Sequence, residues 1–237
     1  MLHQSMVSLV KEIRDRWHPL FHLRRLRAFQ YFLEHIDAPI WVKLYRIPHP
    51  VCIYPVRHAT LLFNPRTIEP EIVALFSAIQ KAYTPRVFWD VGAHVGYYSW
   101  LLKSMDKSIE VLMFEPDAVN LSVIFKTLAK SGLPSIQVVP AAVSDSDGEK
   151  TFSLDRLTDQ TGTLENPTQS FVKRHYRIDP KLVKVKTVTI DSIRKSAKPV
   201  DFIKIDVEGH EAKVIAGAEQ TIIQDHPILI FENFDHN

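Results

Sequence analysis

The sequence contains a single cysteine, Cys52, among its 237 residues. One cysteine excludes an internal disulfide and a cysteine-based zinc site, and it fits a reducing compartment. Long apolar runs are also missing, because no stretch approaches the ~18 consecutive residues that cross a membrane. Lys11, Arg14 and Arg16 interrupt the region where a signal peptide would need its apolar core. We therefore expect a cytoplasmic protein.

A strong excess of charge of either sign is missing as well, since the net charge is +2, and this gives no argument for a nucleic-acid partner. The length allows one sizeable core. We expect N-terminal helices and short strands over residues 1–65, packed on a core domain over residues 66–237. Arg24, Arg25 and Arg27 alternate with apolar residues at helical spacing, which predicts an amphipathic helix. This helix packs on the domain, or it contacts a membrane surface or a partner.

The most informative stretch covers residues 86–100, RVFWDVGAHVGYYSW. Its three large apolar residues predict a buried parallel strand, and Asp90 falls where that strand should end. Gly92 and Gly96 follow, and a helical pattern begins at Tyr97. We expect Gly92 to allow a tight turn and Gly96 to allow close approach of a ligand. A carboxylate before the turn favours a ligand with positive charge and opposes a diphosphate.

Further apolar runs predict strands at residues 110–114, 136–139, 200–205 and 227–231, and residues 117–128 and 212–223 have helical periodicity. Alternating strands and helices predict an α/β fold with a mostly parallel sheet covered by helices on both faces. Ligands of such sheets bind at the carboxyl ends of the strands. The polar residues expected there are Asp90, Glu115, Ser144, Asp206, Glu232 and Asn233.

Glu115 follows the second predicted strand, 25 residues after Asp90. That separation is near the ~20 residues at which an acidic residue holds the ribose hydroxyls of a nucleotide. The glycine pattern differs from the G-x-G-x-x-G fingerprint of dinucleotide-binding proteins, which disfavours an NAD(P)-dependent oxidoreductase. The combination therefore predicts a nucleoside ligand that carries positive charge.

The segments DVGAHVGYYSW, FEPD, TIDSI and VDFIKIDVEGHE resemble the FkbM-type S-adenosylmethionine-dependent methyltransferases. The resemblance covers about residues 69–233 and implies the class I, Rossmann-like methyltransferase fold. By this resemblance Asp90, Gly92 and Gly96 line the methionine end of the cofactor, Glu115 holds its ribose, and Asp206 closes the site. The full set of cofactor-binding residues predicted in this way is Asp90, Gly92, Ala93, Gly96, Tyr97, Glu115, Pro116, Asn120, Ala142, Val143, Ser144 and Asp206.

The catalytic candidates are Asp206, Glu208 and His210, which lie in one loop after the fourth core strand. Methyl transfer to a hydroxyl requires alignment of donor and acceptor and removal of one proton. His210 suits the role of base at neutral pH, since the unperturbed pKa of histidine is ~6.5. It is equally consistent with a solvent-facing residue at the start of a helix.

A magnesium ion is a second possibility at the same strand ends. Asp206, Glu232 and Asn233 offer three oxygen ligands, which Mg²⁺ prefers. The arrangement is similar to the metal site of catechol-type O-methyltransferases. Alternatively, Glu232 and Asn233 line the acceptor pocket or end a strand.

The resulting interpretation is an O-methyltransferase that acts on a hydroxyl of a small molecule, sugar or glycan. The irregular segment of residues 155–180 is expected to shape the acceptor site. The class I fold has seven strands, and only four residues follow Asn233. We therefore expect the C-terminal strands to be missing: the chain is a shortened variant, or it is a fragment, or another segment completes the sheet. An exposed fifth strand would leave an unprotected edge, which is open to a homo-oligomer. The alternative function is a catalytically degenerate methyltransferase-like domain that binds a partner.

Overall fold

A computed structural model describes residues 31, 36–63, 69–154, 162–165 and 179–232. The strands are β1 Ile40–Val42, β2 Val51–Ile53, β3 Val87–Val91, β4 Glu110–Phe114, β5 Ile136–Val139, β6 Ala142–Val143, β7 Gly148–Leu154, β8 Lys181–Val188, β9 Phe202–Ile205 and β10 Ile228–Phe231. The helices are α1 Ala59–Phe63, α2 Pro70–Tyr83, α3 Tyr97–Met105, α4 Ala118–Ser131, α5 Ile190–Arg194, α6 Glu211–Ala216 and α7 Glu219–Asp225.

The central sheet has five parallel strands in the order β10-β9-β3-β4-β5. Successive side chains of β3 point to opposite faces of the sheet, and both faces are covered. Phe88 lies in one buried apolar cluster and Trp89 lies in another. Burial on both faces explains the unbroken apolar runs in the sequence and confirms the predicted parallel α/β sheet.

A second sheet has three strands in the order β6-β8-β7. Its two-residue strand β6 follows β5 but pairs with β8 instead of continuing the central sheet. Ser144 therefore comes after a strand of this second sheet, which is a correction to its predicted place at the end of a central strand. The sequence missed this change because only two residues, Pro140 and Ala141, separate β5 from β6.

The predicted helix at residues 212–223 is two helices, α6 and α7, with a break at Gly217 and Ala218. A Cβ atom at Gly217 would lie 2.1 Å from the carbonyl oxygen of Ser144. The backbone at Ser144, just after β6, therefore lies against the backbone of Gly217, where the break occurs. Helical periodicity on both sides of Gly217 concealed the break in the sequence.

The described part of the N-terminal region packs on the central sheet. Strands β1 and β2 pair antiparallel, and Leu44, Val51 and Ile53 belong to the same buried cluster as Phe88. The predicted boundary at residues 65 and 66 and the arginines of the amphipathic helix lie outside the described residues. Among the helices that the structure describes, none is long and apolar enough to span a membrane.

Candidate functional site

A buried cluster of charges occupies the carboxyl ends of β3 and β9. The Lys204 Nζ atom lies 3.4 Å from Asp90 Oδ1 and 3.2 Å from Asp206 Oδ2. The same ammonium donates a hydrogen bond of 2.9 Å to the carbonyl oxygen of Gly92. We call Asp90, Lys204, Asp206 and Gly92 the strand-end cluster. It brings together three residues that were predicted from the sequence and one lysine that was not.

Access to the strand-end cluster differs among its members. Asp90 is fully buried and also accepts a hydrogen bond of 2.7 Å from the Ser99 hydroxyl. The side chain of Asp206 is 36% exposed, so its carboxylate contacts the buried ammonium of Lys204 and is also accessible to solvent. Asp206 is therefore the member of the cluster that a ligand reaches most directly.

Burial and charge pairing act in opposite directions on these groups. Burial raises the pKa of Asp90, and the nearby ammonium of Lys204 and the hydrogen bond from Ser99 oppose that rise. Burial alone would lower the pKa of Lys204, but the carboxylates of Asp206 and Asp90 outweigh it and raise that pKa. Lys204 is therefore a permanently charged group inside the protein.

Gly92 is required by a contact inside the protein. Its φ of +75° lies in the left-handed region, and a Cβ atom there would lie 1.9 Å from the carbonyl oxygen of Asp206. The glycine turn and the loop after β9 therefore touch through their backbones. A Cβ atom at Gly96 would similarly lie 2.8 Å from the indole of Trp100. The structure thus gives Gly96 an internal neighbour where the sequence predicted close approach of a ligand.

Glu115 lies at the carboxyl end of β4 beside the glycine turn, and it is 5% exposed. Its Oε2 atom accepts a hydrogen bond of 2.8 Å from the backbone N–H of His94, and its Oε1 atom accepts one of 2.8 Å from Asp117 N–H. These two bonds fix the orientation of the carboxylate. Ribose binding by this carboxylate stays a prediction.

The other predicted cofactor contacts include several side chains that the core already uses. Tyr97 belongs to the apolar core, and Asn120 Oδ1 lies 3.2 Å from His58 Nε2. Ala93 is buried and its backbone N–H donates to Phe114 O at 3.0 Å, whereas Pro116 is half-buried. Cofactor contacts from these residues stay predictions.

A second polar network includes the predicted residues Ser144 and His210. His210 Nε2 lies 2.9 Å from Ser144 Oγ, and His210 Nδ1 lies 2.6 Å from Glu165 Oε1. Lys150 Nζ also donates to Ser144 Oγ at 2.6 Å. We call Ser144, His210, Glu165 and Lys150 the histidine network. Its serine, histidine and carboxylate follow the order of a hydrolase triad, but Ser144 is fully buried and so does not meet a substrate.

His210 itself is 2% exposed, which corrects the alternative of a solvent-facing residue. Burial lowers its pKa and outweighs the opposing hydrogen bond to Glu165. With neutral His210, Nδ1–H donates to the carboxylate and Nε2 accepts from the Ser144 hydroxyl. Both ring nitrogens are thus engaged within the protein, and a role of His210 as base stays a prediction.

The loop between these two networks is held by its own side chains and by residues 162–165. Glu208 has φ +55° and Gly209 has φ +92°, so the loop turns sharply. Glu211 Oε1 accepts from the N–H groups of Val207 and Gly209 at 3.2 Å each. Thr163 Oγ1 donates to the carbonyl oxygen of Glu208 at 2.9 Å. Glu208 is half-buried, and its catalytic role stays a prediction.

The predicted metal site involves two strand ends. Glu232 is exposed, its backbone N–H donates to Ile205 O at 3.3 Å, and Asn233 lies outside the described residues. Within the described ranges, no three His, Cys, Asp or Glu residues form a group that could hold a metal ion. At Asp206, moreover, the ammonium of Lys204 already supplies positive charge. Magnesium binding stays a prediction that the described residues do not support.

Lys204, Tyr98 and Ser99 are the site residues that sequence reasoning missed. Lys204 had a visible signal, because a lysine inside the apolar run VDFIKI has no place in a core without a partner. The Tyr98 ring lies 5.5 Å from Lys204 Nζ, and the Tyr98 hydroxyl donates to the Glu69 carboxylate. Neither contact is visible in the sequence, because Glu69 and Lys204 both lie far from Tyr98 along the chain.

The sequence matches the family model described as the methyltransferase FkbM domain over residues 90–237. No curated protein is significantly similar in sequence. The structure is similar to a precorrin-6y C5,15-methyltransferase from Geobacter metallireducens GS-15, with 11% identity, a TM-score of 0.41, and coverage of 69% of this chain and 62% of that chain. It is also similar to a putative caffeoyl-CoA O-methyltransferase from Staphylococcus aureus, with 11% identity, a TM-score of 0.40, and coverage of 92% and 68%. A third similar structure is an SAH-bound methyltransferase from Podospora anserina, with 10% identity, a TM-score of 0.39, and coverage of 86% of this chain and 68% of that chain. The chain thus spans less than two thirds of the precorrin methyltransferase.

Proposed function

This chain belongs to the FkbM methyltransferase domain family, whose cofactor is S-adenosylmethionine, and we propose that it methylates a hydroxyl group. Its five-stranded parallel sheet is the central part of the class I methyltransferase fold. The acceptor that we propose is a hydroxyl on a small molecule, sugar or glycan. The observation that carries this proposal is the partly exposed carboxylate of Asp206 at the end of β9.

The residues at the strand ends fit the cofactor by charge. Asp90, Glu115 and Asp206 are carboxylates, and Lys204 is the cation paired with two of them. The excess of negative charge favours a ligand that carries positive charge, as the ammonium and sulfonium groups of S-adenosylmethionine do. It opposes a diphosphate. We propose that Asp90 and the Gly92 turn hold the methionine end, and that Glu115 holds the ribose.

Adenine recognition is proposed for the segment after β5. Ala142, Val143 and Ser144 are buried, and the Ser144 hydroxyl is engaged by the histidine network. Side-chain hydrogen bonding from Ser144 to a base would therefore compete with His210. We propose that this segment binds adenine through van der Waals contacts and backbone groups, because its side chains are buried within the protein.

The acceptor is proposed to meet Asp206. When bound, the cofactor supplies a methyl group on a positively charged sulfur that is already a good leaving group. The protein has to orient the hydroxyl and receive its proton. The carboxylate of Asp206 is partly exposed and is held in place by Lys204, whereas His210 is enclosed. Asp206 therefore fits the role of proton acceptor better than His210, and Glu208 lies two residues away in the same loop.

The test combines cofactor binding with an acceptor screen. Calorimetric titration with S-adenosylmethionine and S-adenosylhomocysteine, with NADH and NADPH as controls, establishes the cofactor in solution. Formation of S-adenosylhomocysteine is then measured with sugars and phenols against matched amines, with and without Mg²⁺. Turnover with hydroxyl compounds alone would support the proposal. Turnover restricted to amines would overturn it, and a folded protein that binds no cofactor would favour a degenerate domain.

A further inference from the structure

Lys204 is an unusual residue for its position. It lies in β9 between Ile203 and Ile205, and only 7% of its side chain is exposed. Burial of an unpaired ammonium is costly, so a lysine in a central strand requires compensating partners. Its neighbours on β9 pack in the apolar core. The partners of Lys204 therefore explain its presence.

Those partners come from three elements that meet at the carboxyl end of the sheet. Asp90 is the next-to-last residue of β3, Asp206 follows β9, and the Gly92 carbonyl belongs to the glycine turn. An oxygen of each lies within 3.4 Å of Lys204 Nζ. The ring of Tyr98 in α3 faces the ammonium at 5.5 Å, which adds a cation–π contact. Each element carries a residue to which we assign cofactor or acceptor binding.

We propose that Lys204 is a positioning residue of the cofactor site, whose ammonium ties Asp90, Asp206 and the Gly92 carbonyl together and is the charged partner of the buried Asp90 carboxylate. The proposal concerns cofactor binding and rests on the cofactor assignment alone. It is independent of whether the acceptor is a hydroxyl. Failure of the acceptor screen and failure of this proposal are therefore distinguishable.

The physical reason is the burial of Asp90. Burial favours the neutral form of this carboxyl group and raises its pKa, and without the ammonium of Lys204 the main group that opposes this rise would be lost. The charged and titratable groups that face Lys204 are Asp90 on β3, Asp206 after β9 and Tyr98 on α3. The Tyr98 hydroxyl in turn donates a hydrogen bond to the Glu69 carboxylate. A protonated Asp90 would no longer attract the positive end of the cofactor.

The chain offers a matched control in Lys103. This lysine of α3 is fully buried, and its Nζ atom donates to the carbonyl oxygens of Lys107 and Ile109 at 2.6 and 2.8 Å. Lys103 thus holds the loop between α3 and β4 and does not contact the strand-end cluster through these bonds. Lys204→Met and Lys103→Met each remove one buried ammonium, so a general loss of stability affects both variants.

The experiment measures the affinity of the full chain for S-adenosylhomocysteine across about pH 6 to 8. We expect the wild-type and Lys103→Met proteins to show little pH dependence. In Lys204→Met the affinity should fall by about tenfold for each pH unit below the raised pKa of Asp90, because binding then requires loss of one proton. An affinity of Lys204→Met that equals the wild-type affinity at every pH would overturn the proposal.

A second measurement covers the case in which Lys204→Met does not fold. Carboxyl carbon NMR of the wild-type protein, with Asp90→Asn for assignment, reports the charge of the Asp90 carboxyl group directly. An ionised Asp90 at neutral pH in the unliganded protein would support the proposal. A protonated Asp90 at neutral pH would overturn it, because Lys204 would then fail to keep that carboxylate charged.

Discussion

The strand-end cluster and the histidine network each include one residue of the loop of residues 206–211, Asp206 and His210, and these two residues differ in exposure. Both sets join buried and partly exposed polar groups through contacts shorter than 3.5 Å, and the side chain of Glu165 in the histidine network is 38% exposed. The strand-end cluster ends in Asp206, which is partly exposed. The histidine network has His210 at its centre, which is enclosed on both ring nitrogens.

This difference separates a chemical role from a structural one. A group that reacts with a ligand has to reach it, and Asp206 meets that condition better than His210. A fully satisfied buried network gives rigidity to the loop that carries it. We infer that the histidine network holds the loop of residues 206–211 in place. We also infer that the strand-end cluster contributes the reactive group of this loop, the carboxylate of Asp206.

The largest expected effect concerns turnover. Asp206→Asn should lower kcat by about 100-fold to 10,000-fold, because the amide does not accept the acceptor's proton. His210→Asn should lower it far less, since His210 acts only through the loop. Steady-state kinetics with an acceptor found in the screen measures both, with KM to separate binding from chemistry. A larger loss of kcat in His210→Asn than in Asp206→Asn would reverse the assignment of roles.

The next effect concerns stability, because each network has one glycine against a backbone carbonyl. Gly92→Ala brings a Cβ atom against Asp206 O and also requires the left-handed conformation at φ +75°. Overpacking costs about 1–3 kcal/mol and the left-handed conformation about 1–2 kcal/mol more. Gly217→Ala brings a Cβ atom against Ser144 O, but its φ of −78° suits any residue.

Gly92→Ala should therefore lower the free energy of unfolding more than Gly217→Ala does, by about 1–2 kcal/mol. Urea denaturation of both variants measures the difference. The alanine variant of Gly132 is the control, because φ is +62° there and a Cβ atom would meet no atom within 4 Å. An equal loss in the Gly92 and Gly132 variants would show that the contact with Asp206 O contributes nothing.

The affinity for the cofactor should distinguish two glutamates: Glu115, which lies beside the glycine turn, and Glu165, which belongs to the histidine network. Glu115→Gln places an amide N–H₂ against the N–H groups of His94 or Asp117, so one of two hydrogen bonds is lost. The side chain also loses the negative charge with which we propose that it binds the ribose hydroxyls. Because hydrogen bonds to charged groups contribute about 1.5–3 kcal/mol, S-adenosylhomocysteine should bind at least about tenfold more weakly. Glu165→Gln should leave the affinity within about twofold, because the Glu165 carboxylate lies against His210, to which we assign no contact with the cofactor. Calorimetric titration of both variants tests this contrast, and equal weakening would contradict it.

The smallest effect is a pH dependence of stability. Because burial lowers the pKa of His210, the unfolded chain takes up a proton near pH ~6.5 before the folded protein does. The stability that neutral His210 provides is complete above that pH and is lost as pH falls toward the lower, folded-state pKa. The urea midpoint of the wild-type protein should therefore decline below about pH 6.5 more steeply than that of His210→Asn. His226→Asn, at an exposed histidine with φ +50°, should keep the wild-type slope.

Sequence reasoning reached the parallel sheet and the carboxylates at its ends because both depend on local patterns. Apolar runs predict buried strands, and a polar residue directly after a run marks where the strand ends. Ser144 was misplaced because the turn from β5 to β6 is only two residues long and leaves no break in the pattern. Lys204 was passed over because its meaning depends on Asp90, which is more than a hundred residues away.

The sequence by itself determined the family, the order of strands and helices, and the acidic character of the strand ends, because these properties follow from residues close together in the chain. The tertiary structure alone decided which of these groups meet. It joined Lys204 to two carboxylates and enclosed His210 between Ser144 and Glu165. Burial and pairing are set by elements distant in sequence, and in proteins these two quantities govern charge, access and reactivity.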